Sequence, residues 1–354
     1  MENKKPRKRY KLKRFGLLYN LLLAFLIVLV IGSSLSIYGY VKLSNMAGDD
    51  LGDIDVSEEL LALKKDHDVL NIALFGVDSR EDSYDDTRSD AIMVLSYNFN
   101  TKESFLTSVV RDSYVFIDDY YGYQKINHAY AYGGPALTIK TMNQNFDLDI
   151  QDYVAVNFEI VEKLIDAVDG VEVEIKDYEL DELNRVILEM NKQGIGTEAE
   201  TLTDIGTQTL NGKQAVAYMR IRKVGNGDYE RMERQRLVIT LTVDKLLNYN
   251  KFKLIGMVDT FLPYIKTSLS ANEIIALGTE VLLGGSLSIN QTQLPATELS
   301  YGGKLYDGLY YLIPHTLSDN VIQWHNQVYG INNYLPTSTV QQLSQEISAN
   351  TGLY

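Results

Sequence analysis

The sequence predicts an α/β domain carried outside the cell by one N-terminal transmembrane helix. Three observations predict it. Residues 15–41 carry no charge and follow a dense cluster of lysine and arginine. From residue 69 onward, short apolar runs ending in turn residues alternate with segments of helical periodicity, the pattern of strands interleaved with helices. Size is the third: 354 residues with 45% hydrophobic content suffice for one large core or two modest ones.

The basic cluster comprises Lys4, Lys5, Arg7, Lys8, Arg9, Lys11, Lys13 and Arg14, against Glu2 alone. The uncharged stretch after it, almost wholly Leu, Ile, Val, Phe and Ala over 17–31, is long enough to cross a hydrocarbon core of about 30 Å as a helix. The positive-inside bias sets residues 1–14 in the cytoplasm, 15–41 across the membrane and everything beyond about 42 outside. A cleaved signal peptide fits less well, because the apolar stretch is long and no clean small-x-small site closes it.

Beyond residue 14 the chain holds 25 of its 33 Lys and Arg and 46 of its 47 Asp and Glu. So acidic a body repels phosphate backbones, and a fourteen-residue tail forms no DNA-binding fold, so nucleic acid is not an expected partner. Cysteine is absent, which excludes disulfides and thiolate metal sites and fits an extracytoplasmic location.

Taken in order, residues 42–68 are polar and acidic and are expected to form a stalk. The run VLNIALFGV at 69–77 is a buried strand, and 91–97 and 104–110 are two more. Gly133-Gly134-Pro135 opens a helix to about residue 145, with proline where its missing N–H costs nothing. A strand at 154–158, a helix to about 167 and the alternating VEVEI at 171–175 continue the pattern. A long helix is expected over 228–247, a helix near 272–283, a strand near 309–314 and a terminal helix near 339–348. Nothing after residue 250 reads as a separate module, so 69–354 is taken as one domain.

Chemistry concentrates in four places. After the first strand, Asp78 closes one strand and Asp90 opens the next, with Arg88 between them. A neighbouring arrangement would pair the two carboxylates, as Mg²⁺ requires when phosphates and water fill its other sites; a solvated acidic loop would carry the same residues. The second place is Arg111-Asp112 at a strand end, where an ordinary ion pair is the simpler account. The third is Lys125-Ile-Asn127, just before a helix N-terminus; a lysine and a helix N-terminus both favour phosphate.

The fourth is the block 211–236. Arg220 and Arg222 alternate, as if pointing the same way from an extended segment. Asp228 suits an N-cap, and Arg231, Arg234 and Gln235 share a helical face. Arg220, Arg222, Lys223, Arg231, Arg234 and Arg236 stand within seventeen residues of an acidic domain. Such a cluster suits an anionic partner, since the arginine fork grips phosphate oxygens in pairs.

Asp78, Arg88-Ser-Asp90, Arg111-Asp112, Lys125-Ile-Asn127, Asn157-Phe158 and the Asn211-to-Arg236 block, in this order behind one membrane span, resemble the LytR-CpsA-Psr family of wall glycopolymer transferases. The resemblance implies a central mixed sheet flanked by helices, an α-β-α sandwich, with an apolar pocket for a lipid tail. It implies transfer of a glycan phosphate, capsular or teichoic acid-like, from undecaprenyl pyrophosphate to the 6-hydroxyl of muramic acid in peptidoglycan. The domain would then lie outside the cell membrane of a Gram-positive type envelope. By the same resemblance Asp78 and Asp90 hold Mg²⁺ or Mn²⁺, and Arg88, Arg111, Arg220 and Arg222 clamp the diphosphate. Lys125, Asp228, Arg231 and Gln235 complete the site. Two features depart from the family pattern: Val109-Val110 stands before Arg111, where proline is common, and the Arg222-to-Asp228 spacing is variable. Two other functions keep the same residues, a lipid-pyrophosphate hydrolase with water as acceptor and a non-catalytic glycan anchor or transcription attenuator.

Overall fold

A computed structural model describes residues 48–52, 54, 56, 60, 68–77, 89–248, 261, 265–283 and 289–353, without the side chains of 90, 247 and 278–283. The expected tail and membrane helix lie outside these residues, and among those described no helix is long and apolar enough to cross a membrane. In chain order the strands are β1 (Val69–Val77), β2 (Ser89–Asn98), β3 (Ser104–Val109), β4 (Tyr114–Phe116), β5 (Tyr123–Lys125), β6 (Asp152–Asn157), β7 (Val171–Ile175), β8 (Gly206–Leu210), β9 (Ile265–Thr267), β10 (Ile289–Leu294), β11 (Ser300–Lys304) and β12 (Tyr310–Pro314). The helices are α1 (Ile126–Phe146), α2 (Phe158–Ala167), α3 (Asp177–Lys192), α4 (Gly212–Arg220), α5 (Asp228–Asn248), α6 (Ala271–Leu283), α7 (Leu317–Tyr329) and α8 (Ser338–Thr351).

The central sheet has the order β10-β3-β2-β1-β6-β9. It is mixed: β1 pairs β2 antiparallel and β6 parallel, while β3 pairs β2 antiparallel and β10 parallel. Because successive side chains of a strand point to opposite faces, β1 sorts its residues cleanly. Ala73, Phe75 and Val77 join a core with α1, α7 and α8, whereas Leu70, Ile72 and Leu74 face α5 on the other side. Helices thus cover both faces, which explains why β1 reads as a near-continuous apolar run. The segment 171–175 is a strand as expected, but it pairs β8 outside the central sheet. There it builds a second core with α2, α3 and α4.

Helix α1 differs from expectation. It begins at Ile126, seven residues before Gly133, and it breaks at Gly133 and Gly134 before resuming at Pro135. Gly134 has φ +60, a left-handed conformation glycine adopts without penalty. Lys125 stands at the N-cap and its side chain caps none of the first amides. Instead the Ile126 N–H donates to Ser113 O at 3.0 Å and the Asn127 N–H to Arg111 O at 3.2 Å. Those are two of the four amides that every helix start leaves open. The C-terminal elements complete the main core: β10 lies along β3, and the buried Trp324 donates from Nε1 to Thr107 Oγ1 at 3.0 Å.

Candidate active site

The site forms where strand ends and two helix starts meet. At the end of the β1–β2 ladder Val77 lies opposite Ser89, and the register skips Asp90. Such bulges recur beside active sites because they bend the strand locally. Asp78 and Arg88 lie outside the described residues, as does the Asp90 side chain, so of the expected metal pair only the backbone proximity of the flanking positions is observed. Among the described residues no group of three His, Cys, Asp or Glu is arranged to hold a metal ion.

Arg111 follows β3 in a tight turn, closed by the Ser113 N–H to Val110 O at 3.0 Å. Its guanidinium lies 3.6 Å from Asp112 and 3.5 Å from Asp228. Asp112 also takes Lys125 Nζ at 2.9 Å. Asp228 in turn receives Arg222 through two contacts, at 2.8 and 2.9 Å, and Arg231 at 3.3 Å. Burial alone would push the Asp228 carboxyl up, but Arg231, Arg111 and Arg222 together hold it below its ordinary value. Among the described residues, four cations thus converge on these two carboxylates within an acidic body.

The structure links Arg111, Lys125, Arg222, Asp228 and Arg231 in one network. Gln235 lies one turn beyond Arg231 on α5 and is buried. Arg220 takes a different path from Arg222, which corrects the expectation of an extended segment. It is the last residue of α4, and its guanidinium lies 5.2 Å from the centre of the Phe158 ring. The helix forms because Asn211 and Gln214 make a reciprocal capping box at its start. Asp228 is likewise the first residue of α5 rather than its cap; the Gly227 carbonyl accepts from the Arg231 N–H at 3.1 Å.

Two arginines of the block serve the scaffold. Arg234 is buried against Glu179 at 2.8 Å and Glu230 at 2.6 Å. Arg236 ties α5 to the sheet through Ser108 Oγ at 2.7 Å and Gln291 at 3.1 Å. Two apolar cavities of about 220 and about 210 Å³ open between the sheet and α5. They share Leu74, Ile239 and Val243, and the first reaches Phe158, beneath Arg220. Residue reading did not single out this lining. Its signal was present in Val238, Ile239, Thr242, Val243 and Leu246, whose spacing makes one apolar stripe on α5.

The family profile for the LytR_cpsA_psr family matches residues 35–327, and the chain belongs to that family. It is 30% identical over 312 residues to the polyisoprenyl-teichoic acid–peptidoglycan teichoic acid transferase TagT of Bacillus subtilis, covering 86% of this chain and 92% of that one. To TagU of Oceanobacillus iheyensis, which bears the same transferase name, it is 31% identical over 328 residues, covering 88% and 94%. Its fold is similar to that of the LytR-CPS2A-psr family protein YwtF (TagT) with bound octaprenyl pyrophosphate lipid. That likeness has a TM-score of 0.51 at 26% identity and covers 80% of this chain and 91% of that one.

Proposed function

We propose that this protein is a phosphotransferase that moves a glycopolymer, teichoic acid-like or capsular, from undecaprenyl pyrophosphate to the muramic acid 6-hydroxyl of peptidoglycan. The observation that carries the reading is the network in which Arg111, Lys125, Arg222 and Arg231 converge on Asp112 and Asp228. A diphosphate suits such a cluster of cations, and the apolar cavity that reaches Phe158 beneath Arg220 suits a polyprenyl tail. The names of TagT and TagU and the lipid held by YwtF support the same assignment.

Phosphoryl transfer needs positioning and neutralisation of charge more than a nucleophilic side chain. In this reading Arg111, Arg220, Arg222 and Lys125 bind diphosphate oxygens, Arg220 from above Phe158 at the end of the cavity. Asp228 holds the guanidinium groups in place before substrate arrives, so little reorganisation accompanies the reaction. The acceptor hydroxyl attacks the glycan-linked phosphorus, the bond to polyprenyl phosphate breaks, and the hydroxyl proton passes to a carboxylate. We assign Asp78 and Asp90 to Mg²⁺ or Mn²⁺, with Arg88 beside them. Their hard oxygen donors suit such an ion, which when bound supplies further neutralisation of the diphosphate. The basic tail and uncharged stretch support a single-pass protein of the cell membrane with this domain outside.

The test is an assay of the full-length chain with lipid-linked glycopolymer, with and without peptidoglycan. Glycan should reach the wall polymer, and release of polyprenyl phosphate should depend on the acceptor. Equal release in its absence would make the protein a hydrolase.

A further inference from the structure

The hairpin formed by β11 and β12 bears on the cationic network without belonging to it. The Leu312 N–H donates to Asp112 O at 2.9 Å, and Ser113 bridges to the same residue. The Leu312 side chain packs with Val110, Met232 and Tyr229, the last being next in sequence to Asp228. The hairpin is therefore fixed to Asp112 and, through Leu312, to the first turns of α5. It presents Tyr301, Tyr306, Leu309 and Tyr310 to solvent, with Tyr301 and Tyr310 each 49% exposed.

Two glycines explain how these rings lie. A Cβ added at Gly302 would sit 2.0 Å from Tyr310 Oη, and one at Gly303 would sit 2.5 Å from the Tyr301 ring. Gly302 faces Leu312 and Lys304 faces Tyr310, so the Tyr310 ring reaches diagonally across β11 over Gly302. Both rings rest along the strand instead of standing away from it. Glycine weakens a strand and marks places where something approaches the backbone closely; here Gly302 lies beneath the half-exposed Tyr310 ring on one face, and Gly303 beside the Tyr301 ring on the other.

We infer that this hairpin is a stacking platform for a sugar ring of the acceptor glycan strand, with Tyr310 as its face. The inference rests on the transferase reading above. Tyrosine offers an apolar face and a polar edge, which match the C–H face and the hydroxyl rim of a sugar ring. The acceptor is favoured over the donor by the geometry of displacement, in which attacking and leaving oxygens lie roughly in line on opposite sides of phosphorus. The leaving lipid belongs at the Phe158 end, where the apolar cavity opens below Arg220. From there the contacts run through Arg222, Asp228 and Arg111 to Asp112, and the hairpin stands at the far end.

The test titrates the full-length chain in detergent with a peptide-free GlcNAc–MurNAc tetrasaccharide and, separately, with polyprenyl pyrophosphate. Tyr310→Ala should weaken tetrasaccharide binding about tenfold. Gly302→Val, which displaces the ring without removing it, should also weaken it, whereas Tyr310→Phe should restore it. Polyprenyl pyrophosphate should bind all of these proteins alike. Unchanged tetrasaccharide affinity in Tyr310→Ala, or no binding by the wild type, overturns the platform. So does a variant whose KM rises for the lipid-linked donor rather than for the acceptor. If the wild type binds the tetrasaccharide through Tyr310 yet transfers nothing, the platform stands and the proposed reaction fails.

Discussion

Asp228→Asn removes the carboxylate that three guanidinium groups share. A unit-charge pair near 4 Å is worth about 4 kcal/mol at an effective dielectric of about 20, before the cost of desolvation. The Arg222 side chain is 50% exposed, so its pair is discounted to about 0.5–1 kcal/mol. Arg231 and Arg111 are 8% and 14% exposed, so the loss of their shared counter-charge is screened less by solvent. Allowing for the 25% exposure of Asp228 itself, a loss of about 2–4 kcal/mol in unfolding free energy is expected. Its pH dependence has a definite sign. Despite burial, the arginines hold the folded carboxyl below its ordinary value. The stabilisation is thus fully present above the unfolded value of about 3.9 and is lost as pH falls through the lower folded value. Urea unfolding of the full-length chain in detergent, followed by its single buried tryptophan, Trp324, measures both quantities. A difference below about 0.5 kcal/mol at neutral pH, or one that persists unchanged at pH 3, would refute this account of the network.

Replacing Arg222 or Arg220 with alanine should reduce transfer roughly 10²-fold if each stabilises charge on the transferring group; full activity in a folded variant would remove that residue from the site. EDTA should stop turnover and added Mg²⁺ should restore it, whereas activity in the chelated enzyme would contradict the assignment of Asp78 and Asp90. Val243→Trp places a large ring in the space common to both cavities. Excluding even two methylenes of the tail costs about 1.6 kcal/mol, so the affinity for polyprenyl pyrophosphate should fall roughly tenfold, and wild-type affinity would mean the tail binds elsewhere.

Several elements were legible because local and tertiary demands agree. Helix α5 runs from Asp228 to Asn248 against an expected 228–247, since an acidic first turn and an apolar stripe both favour it. Strand β1 was plain from its apolar run, but β11 was not, because SYGGK carries two glycines, which are depleted in strands. Arg220 and Arg222 were misread because spacing by two imitates a strand, while the stronger signal, Asn211 with Gln214 three residues later, begins a helix. Within the site, the cluster of positive charge was legible but its partners were not. Arg231 and Arg234 lie close on one helix, yet Arg231 meets Asp228 whereas Arg234 meets Glu179, which lies 55 positions earlier in the chain. Only the packing of α3 against α5 decides that division.

The most direct measurement is a crystal structure of the protein with polyprenyl pyrophosphate bound. The diphosphate should lie within hydrogen-bonding distance of Arg111 and Arg222, with the prenyl chain running between Leu74 and Val243. A lipid lying outside the cleft between the sheet and α5, with those arginines still closed on Asp228, would contradict the claim that this network is a diphosphate site.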